Sequence, residues 1–410
     1  MQTTAKPKST TPGESSLNSF PQRIFTTQFW LLSTSSFLFF GSFNMLIPEL
    51  PAYLTSMDGA EHKGLIISLF TLTAGISRPF SGRLTDRIGR IPVMVFGSLV
   101  CVVCGFLYPI FVTVVPFLLL RLGHGFSTGF KPTGTAAYIA DIVPAHRRGE
   151  ALGIYGMAVS VGAALGPAIG SWIAIAFSLN ALFYTSSFAA FLSIAILLNM
   201  KETLPNPSRL SWEAFKITRK DVFEPRVFSP SLVVFLTYFS FGAVLTLIPD
   251  FSDSLGLHNH GLFFLVYTLT SLFIRLVAGR VSDRYGRVEV IVVGCSMLII
   301  AMLCTGFATS TELFFTGAVF FGFATGILSP ILSAWTVDLS EENGRGRAMA
   351  TMYISMEAGI GLGALLSAAI FANDVARLPL AFSVMAGFGL MALFYAVVIL
   401  RIKRKQNHAV

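Results

Sequence analysis

The chain has 410 residues, of which 54% are hydrophobic and only 12% are charged. A water-soluble protein carries about 25% charged residues, so this composition excludes a soluble globular protein and indicates one whose solvent is lipid. The formal net charge of +8 does not indicate a nucleic-acid partner, because the charged residues lie in short clusters between apolar runs.

The chain begins with a polar segment, 1–25, whose Ser, Thr, Pro and Lys content is that of a disordered tail rather than of a cleaved signal. Twelve apolar runs follow, and each is long enough to cross a ~30 Å hydrocarbon core as a helix. These runs, here called spans 1 to 12, cover roughly 28–50, 63–83, 92–112, 116–141, 149–173, 178–199, 229–250, 261–280, 288–308, 312–337, 347–372 and 378–401. They predict an all-α membrane protein.

The spans form two predicted bundles of six helices, at 26–200 and 229–401, joined by a linker at 201–228 and followed by a basic tail at 402–410. Residues 211–217 of the linker are compatible with a short helix on the membrane surface or with a solvated segment. The tails, connections and helix ends on the side of the termini hold 25 of the 29 lysines and arginines. This bias predicts that both termini lie in the cytoplasm. We expect a multi-pass protein of a bacterial inner membrane.

One pattern of residues occurs twice, 197 positions apart. Residues 78–90 read RPFSGRLTDRIGR, and residues 275–287 read RLVAGRVSDRYGR. The same offset relates residues further along each half, such as Gly166 and Gly363. The two bundles are therefore related halves, an organisation that indicates a transporter with its binding site between them.

The run GRLTDRIGR at 82–90, between spans 2 and 3, resembles motif A of the major facilitator superfamily, and its repeat lies between spans 8 and 9. The resemblance covers nearly the whole chain. It implies the major facilitator fold, with two pseudo-symmetric six-helix bundles that open a central site alternately to each side of the membrane. It also implies a monomer without a cofactor that exchanges a small molecule for protons.

Motif A implies a latch on the cytoplasmic face. Gly82 and Gly89 are expected to allow tight turns. In similar transporters the acid of the motif, here Asp86, meets the positive N-terminus of a helix from the other half, and the last arginine, here Arg90, pairs with an acid at the end of span 4. The latch so implied comprises Gly82, Asp86, Arg87, Arg90 and Asp141, with Asp283, Arg287 and Asp338 in the second half. The alternative is that these arginines only set the topology.

Span 5 carries GAALGPAIGS at 162–171, which resembles motif C of the drug:proton antiporter branch of this family. Gly162, Gly166 and Gly170 form a small-residue stripe that allows helices to approach closely, and Pro167 bends the span. Ser171 stands where the motif usually has its final glycine. The motif favours export over import.

Ionisable residues inside a span are functional candidates, because a charge in hydrocarbon is costly. Arg121 and His124 of span 4, which resemble motif B, share one helical face with Thr128, Lys131 and Thr135. Because span 4 lines the central cavity in this family, we expect that face to look into water or substrate.

Span 11 carries one deep acid, Glu357, with Tyr353 one turn away, at the same depth as Lys131. Lys131 and Glu357 are predicted to pair directly or to hold opposite ends of a zwitterionic substrate. Glu357, together with His124, is expected to exchange the proton, and Arg121 and Lys131 to hold a negative group of the solute.

The sequence LIPE at the end of span 1 parallels LIPD at the end of span 7. The two acids, Glu49 and Asp250, are predicted to form an outer gate or a proton entry, with hydrated acids at helix ends as the alternative. Well-studied multidrug members of the family often hold a deep carboxylate in span 1, where this chain has Asn44. That difference disfavours a simple cationic drug as the substrate.

The four cysteines lie in apolar spans, and Cys101 and Cys104 have the spacing of a redox or metal site. Because no histidine or carboxylate is near them in the sequence, we interpret them as small packing residues and predict no metal site.

These features predict a secondary active transporter rather than an enzyme, since no metal-ligand spacing, Ser–His constellation or phosphate-binding loop is found in the sequence. The first hypothesis is a proton-coupled antiporter that exports a small amphipathic, anionic or zwitterionic solute. The alternatives are a proton-coupled importer of a small organic solute and a lipid-handling membrane protein with the same fold.

Overall fold

The computed structural model describes residues 25–144, 147–208, 223–341 and 345–407. These residues are almost entirely helical, which confirms the predicted all-α class, and ten of their helices are long and apolar enough to cross a membrane. The predicted spans 1 and 4 are not among the ten. Span 1 is rich in Ser and Thr, and span 4 is divided into two shorter helices that contain ionisable residues. Residues 1–24 of the tail predicted over 1–25, the linker segment 211–217 and residues 408–410 lie outside the described residues.

The helices of the first half follow one another through short connections. They are span 1 at Thr27–Asn44 with a short continuation at Leu50–Thr55, span 2 at Lys63–Ile88, span 3 at Arg90–Leu107, span 4 at Val114–His124 and Phe126–Ile142, span 5 at Arg148–Ala176 and span 6 at Leu179–Leu198. The helices of the second half are span 7 at Phe228–Ser254, span 8 at Leu262–Tyr285, span 9 at Arg287–Gly306, span 10 at Thr311–Leu339, span 11 at Arg345–Phe371 and span 12 at Leu378–Asn407.

Two spans are interrupted for identifiable reasons. Span 1 stops at Asn44 and restarts at Leu50, because Pro48 in between lacks the N–H that would continue the helical ladder. Span 4 breaks at Gly125, where span 2 approaches so closely that a Cβ on this residue would lie 2.1 Å from the backbone oxygen of Phe70. At the other end of the chain, span 12 continues as a helix to Asn407, through most of the predicted basic tail.

The turns of the two motif A repeats are made by glycine. Gly89 and Gly286 have φ angles of 118° and 104°, which side chains other than glycine rarely adopt. This confirms the predicted turn at Gly89. The turn predicted at Gly82 is wrong, because helix Lys63–Ile88 runs through that residue and the first part of motif A forms the last turns of span 2.

Close helix contacts hold each half together. A Cβ on Gly162, Gly166 or Gly170 would lie 2.5, 2.8 or 2.1 Å from a backbone oxygen of span 1, so the motif C stripe brings the backbones of spans 1 and 5 together. The repeat places Gly359 and Gly363 of span 11 in the same relation to span 7, at 2.4 and 2.3 Å. Because twelve spans are an even number, both ends of the described chain lie on one face, here called the termini face, and we call the other the opposite face.

We expect Gly170→Ala to destabilise the protein by about 1–3 kcal/mol, because the added methyl group would overlap the backbone of span 1. The matched control is Gly156→Ala in the same helix, where a Cβ would meet nothing within 4 Å. Thermal unfolding of the purified protein in detergent should give a lower midpoint for Gly170→Ala and an unchanged or higher one for Gly156→Ala. Equal midpoints for the two variants would contradict the packing described.

Candidate functional site

An ion pair joins the two halves at mid-depth. Arg78 of span 2 donates through Nη2 to Glu357 Oε1 of span 11 at 2.6 Å, and only 11% and 8% of the two side chains are exposed. The guanidinium of Arg78 lies 4.7 Å from the centre of the Tyr353 ring. The helices touch here, because a Cβ on Gly75 would lie 3.4 Å from Glu357 Cβ. Glu357 and Tyr353 are thus together as predicted, with Arg78 as the cation.

Sequence analysis included Arg78 in the internal repeat and among the basic residues on the side of the termini, and gave it no role in the site. The signal that could have identified it is depth, because Arg78 precedes Asp86 by eight residues, which places it about 12 Å further into the membrane. Arg78 is also the first residue of the repeated motif at 78–90, and the other residues of that motif lie at or beyond the end of the span.

The repeat-related arginine, Arg275 of span 8, also reaches across the interface between the halves. Its Nη1 donates to Ser160 Oγ of span 5 at 3.1 Å. Ser160 and Glu357 are themselves 197 positions apart, so the two contacts are equivalent under the repeat. One contact is an ion pair and the other joins a cation to a hydroxyl.

A small cavity of about 50 Å³ lies in the second half, next to these contacts. Its volume is enough for a few water molecules. Its wall includes Tyr353, which stacks on Arg78, and Tyr238, which interacts electrostatically with Arg275. The remaining lining is Val234, Ser329, Leu332, Ser333, Met352 and Met356.

The polar face of span 4 does not look into the central cavity, so that prediction is wrong. All five of its residues are buried, with exposures of 2% for Arg121, 0% for His124, 8% for Thr128 and 0% for both Lys131 and Thr135. Their partners lie within the first half. The helical periodicity was correct, but periodicity shows which residues share a face and not which neighbour that face meets.

Lys131 is held by spans 1 and 6. Its Nζ donates to the backbone oxygen of Ser35 at 3.1 Å, to Ser35 Oγ at 2.9 Å and to Ser193 Oγ, and it lies 4.8 Å from the centre of the Phe39 ring. The direct pair predicted between Lys131 and Glu357 is therefore not formed. Lys131 points into the core of the first half because hydroxyl and carbonyl groups there satisfy its ammonium group.

Arg121 and His124 meet around Tyr108 of span 3. The Tyr108 hydroxyl lies 3.1 Å from Arg121 Nη1 and 3.0 Å from His124 Nδ1, and Arg121 Nε also donates to the backbone oxygen of Ile66. His124 Nε2 lies 3.3 Å from Cys101 Sγ, so this cysteine does have a histidine beside it, brought from another helix. The cluster is fully enclosed by protein.

The acids predicted at the outer gate bridge the halves at the opposite face. Lys63 of span 2 donates to Asp250 Oδ1 of span 7. Glu49 lies 3.2 Å from Nδ1 of His260, which precedes span 8, and the other nitrogen of His260 lies 2.7 Å from Asp253. Sequence analysis did not assign a role to either cation, since Lys63 begins span 2, His260 precedes span 8, and neither belongs to a motif.

Motif C contributes to the same contact. Ser171 Oγ donates to Glu49 Oε1 at 2.5 Å, which explains the serine in place of the usual glycine. Pro167 touches the start of span 8 so closely that a Cβ on Gly261 would lie 2.3 Å from the proline backbone. Asn259 Nδ2 donates to the backbone oxygen of Ala168 at 3.3 Å. The opposite face is therefore closed in this structure.

His260 is charged at neutral pH. Its burial would by itself lower the pKa, but the hydrogen-bonding and charge interactions with Glu49 and Asp253 outweigh burial and raise the pKa of His260 to about 9. The ion pairs of His260 are thus intact over the neutral range.

On the termini face, the arginine pairs within each half are as predicted. Arg90 Nε lies 2.9 Å from Asp141 Oδ2, and Arg287 Nε lies 2.9 Å from Asp338 Oδ2. Asp86 is 75% exposed and pairs with Arg90 of its own half at 3.4 Å, and Asp283 pairs with Arg287. The latch between the halves remains a prediction.

Three further residues complete the candidate set. The backbone oxygen of Arg87 accepts from Ser208 N at 2.7 Å. Asn44 Nδ2 donates to the backbone oxygen of Phe40, one turn back in its own helix, at 2.7 Å. Glu202, which sequence analysis missed, accepts from the backbone N–H groups of Arg90 and Ile91 at the start of span 3. Burial opposes ionisation of Glu202, but four backbone N–H donors lower its pKa.

Two bundles of helices, related by an internal repeat and joined by polar contacts at mid-depth, are the architecture of a secondary transporter. The sequence profile of the Major Facilitator Superfamily matches residues 32–259 and 230–410. The chain belongs to this family of membrane transporters, and this places it outside the enzymes.

Known members of the family resemble the chain over most of its length. Multidrug resistance protein 1 of Bacillus subtilis (strain 168) is 27% identical over 362 residues, which cover 84% of this chain and 90% of the relative. The multi-drug resistance efflux pump PmrA of Streptococcus pneumoniae serotype 4 (strain ATCC BAA-334 / TIGR4) is 27% identical over 375 residues, 88% of this chain and 90% of the relative. The crystal structure of a D-xylose-proton symporter shares the fold, with a TM-score of 0.73, 19% identity and coverage of 89% of this chain and 96% of that one.

We expect the opposite face to open as pH rises through about 9. A raised pKa means that the stabilisation supplied by charged His260 is complete below its ordinary pKa of about 6.5 and is lost as pH rises through the raised value. Spin labels in place of Glu61 and Asn373, two exposed residues of that face on different halves, report the separation by double electron–electron resonance. The fraction of molecules with a long distance between the two spin labels should increase between pH 7 and pH 9.5.

In His260→Gln this fraction should already be high at pH 7 and should not change with pH. The matched control is His258→Gln, which removes an exposed histidine two residues away and should behave as wild type. A pH dependence that survives in His260→Gln would show that another group governs the opening.

Proposed function

We propose that the protein is a proton-coupled antiporter that exports a small amphipathic, anionic or zwitterionic organic solute by alternating access. The observation that carries the proposal is the ion pair between Arg78 and Glu357, because it places the deep acid of span 11 on the surface where the halves must separate. The relatives support export, since their names describe multidrug resistance and efflux. Motif C supports the antiporter branch.

Topology follows from the distribution of basic residues. The termini face holds most of the lysines and arginines and is assigned to the cytoplasm of a bacterial inner membrane. The opposite face is then the outer face. In the proposed cycle, the contacts Lys63–Asp250 and Glu49–His260 at that face belong to the state that exchanges with the cytoplasm.

The proton and the ion pair exclude each other. Glu357 must be ionised to pair with Arg78, and a proton on Glu357 removes the attraction that holds spans 2 and 11 together at mid-depth. In the proposed cycle, Glu357 takes a proton from the outside when the outer face is open. It releases the proton to the cytoplasm when Arg78 returns. His124 is removed from this role, because it is enclosed in the first half beside Tyr108 and Cys101.

The outer gate and the cytoplasmic latch alternate in this cycle. When the outer ion pairs break, spans 2 and 8 tilt so that the motif A acids approach the other half. Asp86 and Asp283, which are 75% and 66% exposed here, are then available for the helix N-termini that the family resemblance assigns to them. The transporter acts as a monomer and needs only the proton gradient.

Proton release from detergent-purified protein tests the role of Glu357. Wild type should release protons into a weakly buffered solution on addition of naphthalene-2-sulfonate, an anionic probe of the proposed solute class. Release should fall to background in Glu357→Gln, which keeps the size of the side chain but cannot ionise. Glu61→Gln, at an acid that is 79% exposed, is the matched control and should release protons as wild type does. Undiminished release in Glu357→Gln would remove Glu357 from the coupling step.

Transport in proteoliposomes under an imposed pH gradient tests the direction. The solute tested is one that causes proton release in detergent. An antiporter should accumulate this solute in the compartment from which protons flow out, because solute and protons cross the membrane in opposite directions. Accumulation together with the proton flow would establish the importer alternative. Exchange of a fluorescent phospholipid between leaflets, in place of solute accumulation, would establish the lipid-handling alternative.

A further inference from the structure

The internal repeat is broken at one functional position. Arg78 and Arg275 are equivalent, but the residue that faces Arg78 is Glu357, whereas the residue that faces Arg275 is Ser160. A hydroxyl accepts a hydrogen bond from a guanidinium but does not neutralise it. Among the described residues, Arg275 has no acidic partner, and its electrostatic neighbours are the phenols of Tyr238 and Tyr267.

Arg275 lies between the halves rather than against lipid. Its Nη1 is bonded to Ser160 Oγ, and Ser160 belongs to the other half and is only 8% exposed. Arg275 itself remains exposed in the structure. An exposed guanidinium in the interface between the halves is reachable from the pathway that alternating access requires. A permanent positive charge at this depth is costly, and an anionic partner reduces that cost.

The other deep cations are already occupied. Arg78 is paired with Glu357, and Lys131 is surrounded by groups of Ser35, Ser193 and Phe39 inside the first half. Arg121 is 2% exposed and likewise enclosed. Arg275 is therefore the guanidinium at this interface with capacity for an external anion.

We infer that Arg275, with Ser160, is the subsite that binds the negative group of an amphipathic organic anion, such as an aryl sulfonate or aryl carboxylate. The planar guanidinium can donate two parallel hydrogen bonds to such a group. The rings of Tyr238 and Tyr267 supply an aromatic surface for the apolar part, and Ser329 and Ser333 next to Tyr238 supply hydroxyl groups. The inference rests on the proposed transport function and names the substrate class that the site takes.

The repeat itself suggests the test, which is to restore the missing acid. In Ser160→Asp a carboxylate would stand where the Ser160 hydroxyl already contacts Arg275 at 3.1 Å, so the guanidinium would be neutralised from within the protein. Ser160→Asn adds a side chain of the same size without the charge and is the matched control. Arg275→Gln removes the cation directly.

The measurement is equilibrium binding of naphthalene-2-sulfonate to the full-length protein in detergent by isothermal titration calorimetry, with uncharged naphthalene-2-sulfonamide as the matched ligand. Wild type should bind the sulfonate at least about tenfold more tightly than the sulfonamide, as expected for a charge-assisted hydrogen bond. Ser160→Asp and Arg275→Gln should lose that preference, and Ser160→Asn should keep it. A single symmetric peak in size-exclusion chromatography shows that each variant is folded.

Equal binding of the two ligands by wild type would overturn the inference, as would a Ser160→Asp variant that keeps the sulfonate preference. Loss of the preference in Ser160→Asn as well as in Ser160→Asp would also overturn it, because size rather than charge would then be the cause. The assay needs no proton gradient and leaves Glu357 intact. Its failure is therefore distinguishable from a failure of proton coupling, which appears in Glu357→Gln.

Discussion

The cost of a charge in hydrocarbon determines how this chain arranges its deep polar residues. The fold meets that cost in three ways. Lys131 is enclosed by hydroxyl groups and a carbonyl oxygen of its own half, Arg78 is neutralised by Glu357 across the interface, and Arg275 is hydrogen-bonded to Ser160 without being neutralised. Only the second and third arrangements involve both halves. These two therefore change when the halves move, whereas the first stabilises one half throughout the cycle.

The helices, the two-half organisation and the intrahalf pairs Arg90–Asp141 and Arg287–Asp338 were predictable, because apolar length, internal repetition and family motifs are recorded locally in the sequence. The surroundings of the deep charged residues were not predictable from the sequence. Helical periodicity groups Arg121, His124 and Lys131 on one face, but whether that face meets the central interface or the core of its own half depends on how the other spans pack. The same limit hid His260 and Lys63, each of which gains its role from an acid that is distant in the chain.

The internal repeat is most informative where it fails. Duplication alone would give both halves the same contact. The second half has a carboxylate at Glu357, whereas the first half has a hydroxyl at the equivalent residue, Ser160, so the two halves differ in function at this position. On the Glu357 side the interface holds its own counter-charge, which a proton can remove. On the Ser160 side the described residues supply a hydroxyl and no counter-charge, so Arg275 can accept an anion from outside the protein. In the proposed cycle, a single duplicated arginine thus serves proton exchange at one position and an anionic solute at the other.

Span 2 connects the contact at the opposite face with the ion pair at mid-depth. It carries Lys63, which pairs with Asp250 at the opposite face, and, 15 residues later, Arg78, so one continuous helix of about 22 Å joins that contact to the ion pair at mid-depth. Its partners are coupled as well, because Asp250 belongs to span 7, whose Gly242 packs against the backbone of span 11, the helix that carries Glu357. A rotation that separates Lys63 from Asp250 therefore also displaces Arg78 from Glu357. Loss of the Arg78–Glu357 pair at mid-depth and opening of the opposite face then belong to one rigid-body movement, and in the proposed cycle this movement couples the proton to the solute.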